Sequence, residues 1–242
     1  MMNFTTTRAS AGQKIKVLVH APAGSGKTRL CGTTPDPQRT LIISAESGLL
    51  SLADVEIPVF EIKKIQDLDQ IYDYLCTDEA KRQFDWICLD SVTEIAEQVL
   101  AAAKEVSSDP RQAYGKLIDE MTVALKGFRE LPYNVYMSCK QERIKDEAEG
   151  LTLYSPSMPG SKLAQNVPYL FDEVFALHVH REINSETGEV KISRMLQTQS
   201  DSRYSAKDRS GALSLWEEPN LALIAKKIQD RISGLDSKKD LD

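Results

Sequence analysis

Apolar residues in this 242-residue chain gather in short runs separated by longer mixed stretches. Ile15–Val19, Leu41–Ser44, Trp86–Leu89 and Asn134–Cys139 are apolar at nearly every position. That density predicts strands buried on both faces. Ile57–Ile62 reads as a further strand. Ile65–Leu75, Ile95–Ala103 and Leu117–Leu131 carry apolar residues at spacings of three and four, which predicts amphipathic helices. The pattern then changes. Val174–His180 and Val190–Gln197 read as strands joined by a turn at Ser185-Glu-Thr-Gly188, and a last helix, Leu221–Ile232, ends near Gly234. The alternation predicts an α/β fold, a mostly parallel sheet with helices on both faces and an antiparallel C-terminal extension. One domain over 14–233 is expected, with mobile ends at 1–13 and 234–242. There is no internal repeat and no low-complexity segment.

Composition sharpens this only in places. With 41% hydrophobic and 27% charged residues, the chain can build one domain with a full core. Aromatics at 7% point to an aliphatic core. No run is long enough to cross a bilayer, and MMNFTTTRASAGQK lacks the apolar stretch of a signal peptide. A cytoplasmic protein with no membrane partner is expected. The cysteines, Cys31, Cys76, Cys88 and Cys139, have no CxxC spacing, and Cys88 and Cys139 lie within apolar runs. They read as buried reduced thiols. His178 and His180 alternate with apolar neighbours on a strand and have no ligand-spaced partners, so no zinc site is expected. Net charge is −6, so a nucleic-acid partner requires a local basic patch.

The chemistry concentrates first at Ala21-Pro22-Ala23-Gly24-Ser25-Gly26-Lys27-Thr28, directly after the first apolar run. This is a phosphate-binding P-loop with Ala21 at its first glycine position. Gly24 and Gly26 let the backbone turn so that successive N–H groups face phosphate oxygens. Lys27 is placed to reach the β- and γ-phosphates, and the Thr28 hydroxyl to bind Mg²⁺. A helix opening at Thr28 would add partial positive charge. The second signal is Phe84-Asp-Trp-Ile-Cys-Leu-Asp90-Ser91, an apolar strand ending in an acid, the Walker B pattern. Asp90 reads as a second Mg²⁺ ligand beside Thr28, or as the N-cap of the following helix.

Leu89-Asp90-Ser91 resembles the RecA-type recombinases, and two further segments agree. Leu41-Ile-Ile-Ser-Ala-Glu46 is similar to the strand of that family ending in the catalytic glutamate. Val135-Tyr-Met-Ser-Cys-Lys-Gln141 is similar to its strand ending in a γ-phosphate-sensing glutamine, although Lys140 could fill that slot. The resemblance implies a RecA-like P-loop NTPase core. In it Glu46 activates the attacking water, and Gln141 relays nucleotide state to a DNA-binding loop. Tyr204-Ser-Ala-Lys207-Asp-Arg209-Ser-Gly211 resembles the Lys-Asn-Arg-Phe-Gly segment of RadA-type relatives, with Asp and Ser replacing Asn and Phe. By that resemblance, Lys207 and Arg209 act in trans on a neighbouring subunit's nucleotide. Taken together, these segments resemble the phage-encoded single-domain RecA-like ATPases that serve in single-strand annealing or as recombination mediators. The implied function is a DNA-stimulated ATPase in the cytoplasm (the host's, for a phage protein). Its cofactors are ATP and Mg²⁺. Its partners are single-stranded DNA, further copies of itself in a ring or filament, and a single-strand-binding protein.

In RecA-like proteins the DNA-binding loops follow the Walker B helix and the sensor strand, which here means 104–116 and 142–162. The first offers Arg111, Tyr114 and Lys116. The second offers Arg143, Lys145, Tyr154 and Lys162. Cations interleaved with aromatics suit sequence-tolerant single-strand binding. The second loop also carries Glu142, Asp146, Glu147 and Glu149, which oppose it. Two other function classes remain open, a P-loop kinase of a small metabolite and a nucleotide-gated scaffold with little turnover. A kinase would need an acceptor pocket and an Arg-rich lid, and the Arg143–Lys145 region is too acidic to read as one.

Overall fold

The computed structural model describes residues 14–46, 48–145, 150–184 and 187–234. The expected mobile ends, apart from Gly234, and the turn residues Ser185 and Glu186 lie outside the described residues. Six strands form the parallel part of the sheet: β1 (Lys16–Ala21), β2 (Thr40–Ser44), β3 (Val59–Glu61), β4 (Trp86–Asp90), β5 (Asn134–Lys145) and β7 (Glu173–Ile183). The antiparallel strands are β6 (Thr152–Pro156) on β5, β8 (Val190–Gln197) and β9 (Lys207–Asp208) on β7, and β10 (Trp216–Glu217) on β8. The spatial order is β10-β8-β7-β1-β5-β4-β2-β3. The predicted parallel sheet with an antiparallel C-terminal extension is therefore present.

Strand side chains alternate between two buried layers. Leu18, Leu41, Ile43, Ile87, Leu89, Val135 and Met137 face one layer. Its helices are α2 (Gln66–Leu75), α3 (Asp78–Gln83), α4 (Val92–Val106), α5 (Pro110–Glu130) and α6 (Ser161–Asn166). Val17, Val19, Ile42, Trp86, Cys88 and Tyr136 face the other, covered by α1 (Lys27–Leu30) and α7 (Leu221–Ile232). Helix cover on both faces explains why the strands read as continuous apolar runs.

Several local expectations need correcting. The helix expected from Leu117 begins at Pro110, because the Asp109 side chain accepts from Arg111 N and Pro110 suits the first turn. Arg111, Tyr114 and Lys116 therefore lie on a helix, not in a loop. The region expected as a loop after Cys139 is a hairpin. β5 continues to Lys145 and pairs with β6, so Arg143, Lys145 and Tyr154 sit on strands. Its apolar half ends at Cys139, and the outer half is held by backbone pairing that leaves no apolar pattern. Lys162 lies on α6. Cys76, expected buried, is exposed as the C-cap of α2. The helix after the P-loop starts at Lys27 and lasts four residues before a 3₁₀ turn. Loop amides, more than a helix dipole, must then supply its anion affinity.

Lys16 closes the bottom of the sheet. Its buried ammonium donates to Leu131 O (2.8 Å) and Tyr133 O (2.6 Å) just past the end of α5. Burial lowers its pKa to about 8. Lys16→Met would strand both carbonyls, so unfolding stability should fall by about 2 kcal/mol in urea titrations. The denaturant slope should stay unchanged.

Candidate active site

The cleft lies beyond the carboxyl ends of β1, β5, β4 and β2, where open α/β sheets bind ligands. Its volume is about 780 Å³, and Lys27, Thr28, Glu46, Lys140, Gln141 and Arg194 are among its lining residues. β5 runs between the P-loop strand and the Walker B strand, so its end delivers side chains to the middle of the cleft.

Gly24 (φ 74°) and Gly26 (φ 105°) occupy the left-handed region, which L side chains rarely adopt. Ala21 is the last residue of β1, and no described non-glycine residue has positive φ, so the missing first glycine costs nothing. The Ser25 hydroxyl donates to Pro22 O at 2.9 Å and folds the loop on itself. Lys27 Nζ curls back to Ala21 O (3.0 Å) and Pro22 O (3.1 Å), across the hollow a phosphate would enter. Burial lowers the Lys27 pKa, while Asp90 and Glu46 favour its charged form.

Asp90 is 3% exposed. Thr28 Oγ1 donates to its Oδ2 at 2.6 Å, and Ser138 Oγ donates to its Oδ1. The N-cap alternative for Asp90 fails, because Ser91 caps α4 by accepting from Glu94 N at 3.3 Å. Ser91 Oγ also donates to Glu46 Oε1 at 2.5 Å, holding that carboxylate at the cleft. A hydroxyl and a carboxylate in contact beside the P-loop are hard oxygen donors suited to Mg²⁺. Thr28 and Asp90 would hold it, and the ion would neutralise phosphate charge.

Gln141 lines the cleft and donates through Nε2 to His20 Nδ1 at 3.1 Å. A carbonyl can only accept, so the His20 contact to Ser205 O (2.7 Å) assigns the ring proton to Nε2. Lys140 is engaged elsewhere, by Glu94 and by both carboxylate oxygens of Glu97 at 3.0 Å. Of the two side chains, Lys140 is the one committed to ion pairs. Arg194, on β8, was missed in the sequence. Its Nε donates to Ser25 O at 2.9 Å, and its guanidinium lies against Gly26, where a Cβ would come within 3.3 Å. Only the long-range pairing of β7 with β8 brings it there, and no local motif announces it.

The remaining candidates lie away from the cleft. Lys207 pairs opposite Val174, which is level with Leu18 on β1, roughly 10 Å short of the P-loop along the strands. Lys207 Nζ donates to Pro168 O (2.7 Å), and Arg209 pairs with Asp172 (3.2 Å). Tyr114 lies against Gly160 and under the Lys104 ammonium (5.8 Å), close in sequence to Lys162, and Lys116 pairs with Glu120. Arg143 and Lys145 are exposed on the outer half of β5, where Arg143 stands opposite Tyr154. Asp146, Glu147 and Glu149 lie outside the described residues.

A family profile described as an AAA domain matches residues 13–210. The chain belongs to the AAA-domain family. No curated protein matches it. Among solved structures, an ATPase from the type III secretion system of pathogenic bacteria is similar, with TM-score 0.47 and 15% identity. The match covers 71% of this chain and 54% of that one, so this chain spans about half that protein's length. The matched span takes in the P-loop, Glu46, Asp90 and Gln141. No helix among the described residues is long and apolar enough to cross a membrane.

Two outcomes follow for the AAA domain. Glu46→Gln keeps the Ser91 contact but removes the carboxylate charge from the cleft, so kcat should fall by roughly 10²–10⁴-fold with nucleotide affinity little changed. Stopped-flow binding beside steady-state turnover checks this. Burial lowers the His20 pKa to about 4, below the 6.5 of a free imidazole. The unfolded chain then takes up a proton that the native state refuses, so stability falls as pH drops from 6.5 towards 4. Between pH 6.5 and 5 this amounts to about 2 kcal/mol. Urea midpoints of wild type and His20→Leu should show the variant lacking that part of the acid loss.

Proposed function

We propose that this AAA domain hydrolyses ATP with Mg²⁺ at the Thr28–Asp90 pair, as an assembly working on single-stranded DNA in recombination or annealing. The observation that carries the turnover part is the Ser91–Glu46 hydrogen bond, which fixes a carboxylate beside the P-loop. In this reading the loop amides and Lys27 hold the phosphates, Glu46 takes the proton of the attacking water, and Gln141 contacts the γ-phosphate. Positioning and charge neutralisation account for most catalysis in phosphoryl transfer. A scaffold with negligible turnover has no need of a carboxylate held in that position.

The DNA part rests on the resemblance of the segment that carries Lys207 and Arg209. Lys207 and Arg209 are too far along the strands to serve their own cleft, as residues acting on a neighbour would be. Their segment is organised by Asp208, which accepts from Ser210 Oγ, Gly211 N and Leu213 N. ATP over other nucleotides follows the resemblance alone.

The test is ATP turnover with and without single-stranded DNA, for wild type and Lys27→Ala. The expected result is several-fold stimulation by DNA, abolished in the variant. Turnover indifferent to DNA, with no DNA binding at low salt, would remove the recombination reading. Phosphate transfer to a small metabolite would replace it with a kinase.

A further inference from the structure

Outside the cleft, the AAA domain gathers five rings at its surface from four segments distant in sequence. Tyr154 on β6 stacks on Tyr204 with centroids 4.8 Å apart and planes 16° apart. His178 on β7 lies 4.3 Å from Tyr204 and 5.0 Å from Trp216 on β10. His180 lies 6.0 Å from both His178 and Trp216. None of the five belongs to either core cluster. The contrast with the chain's other tryptophan is direct, since Trp86 is 3% exposed and Trp216 is 39% exposed. Core packing therefore does not account for the group.

The surroundings are cationic where the rings are open. Arg203 adjoins Tyr204, and Arg143 stands directly across from Tyr154 in the β5–β6 register. Both are exposed, and neither has an ion-pair partner among the described residues. The acid within the patch, Asp201, uses Oδ1 to accept from Arg203 N and Tyr204 N, both at 2.7 Å. Glu182, two residues beyond His180, faces Lys191 across the hairpin. Burial keeps His178 towards its neutral form.

The same patch is tied to the cleft. The His20 ring bridges Gln141 to Ser205 O, and Ser205 N donates to Tyr154 O at 2.9 Å. Tyr154 N donates in turn to Arg203 O at 2.6 Å. A short chain of hydrogen bonds thus runs from a cleft-lining amide to the stacked tyrosines.

We propose that these rings form a stacking platform for the bases of a single-stranded nucleic acid, linked to the nucleotide cleft through Gln141, His20 and Ser205. The proposal rests on the single-strand reading above and adds where the strand lies. Aromatic faces flanked by exposed arginines meet the two needs of such a ligand, base stacking and phosphate neutralisation. A duplex, with its bases already stacked, has no use for the rings.

The test measures binding of a fluorescent oligo(dT) at low salt by wild type, Trp216→Ala, Trp216→Phe and His180→Ala. Thermal melts serve as folding controls. Expected are roughly tenfold weaker binding for Trp216→Ala, near-full rescue by Trp216→Phe, and an intermediate loss for His180→Ala. ATP-analogue binding should be unchanged in all three. In wild type, oligo(dT) affinity should differ several-fold with and without the ATP analogue, and folded His20→Leu should lose that difference. If wild type binds oligo(dT) but the Trp216 and His180 variants bind equally well, the platform is overturned while the single-strand reading stands. If wild type prefers or equals its affinity for duplex, the platform is overturned as well. If wild type binds no oligo(dT), both fall together. Retention of the nucleotide dependence in His20→Leu overturns the link.

Discussion

The Asp90 carboxylate is the constraint around which the working end of this AAA domain is arranged. A buried carboxylate is costly unless donors satisfy it. Here the donors come from two other parts of the chain, Thr28 at the end of the P-loop and Ser138 on the central strand β5. The backbone takes part too, since Ala45 N donates to Asp90 O at 2.9 Å. That bond sets the turn leading to Glu46. Misplacing β1 or β5 would take one of those donors away. The pairing of β1, β5, β4 and β2 and the chemistry of the cleft are therefore a single requirement.

This explains what the sequence made legible. The P-loop, the Walker B strand and the central strands stand out because burial on both faces compresses each into an unbroken apolar run. Motif residues sit at the ends of those runs, so Lys27, Thr28 and Asp90 can be read from local pattern, whereas Glu46 and Gln141 are reached through resemblance to a family. The last helix, Leu221–Ile232, could be read to the residue because Asn220 caps it and its apolar stripe is regular. The outer half of β5, together with β6, β9 and β10, could not. These short or peripheral strands are held by backbone pairing, with side chains free to be polar. Arg194 was hidden for the same reason, because a residue becomes part of the cleft only when β8 folds back along β7.

The antiparallel extension thus does more than close the sheet. On one side of the hairpin it lays Arg194 along the P-loop. Trp216, which as a lone residue in sequence suggests packing, joins the ring cluster on strands of that same extension. Single-residue reading is weakest at such sites, because each ring or cation is ordinary alone and acquires meaning from neighbours distant in the chain.

His20 shows why burial matters to this arrangement. Its ring must donate from Nε2 to Ser205 and accept at Nδ1 from Gln141, which only the neutral tautomer allows. An imidazolium would carry protons on both nitrogens and turn the Gln141 contact into a clash of donors. A surface histidine would spend part of its time charged near neutral pH. With its pKa held at about 4, His20 stays neutral across that range. The connection between the cleft and the stacked tyrosines is therefore kept intact by desolvation, the same force that makes the central strands apolar.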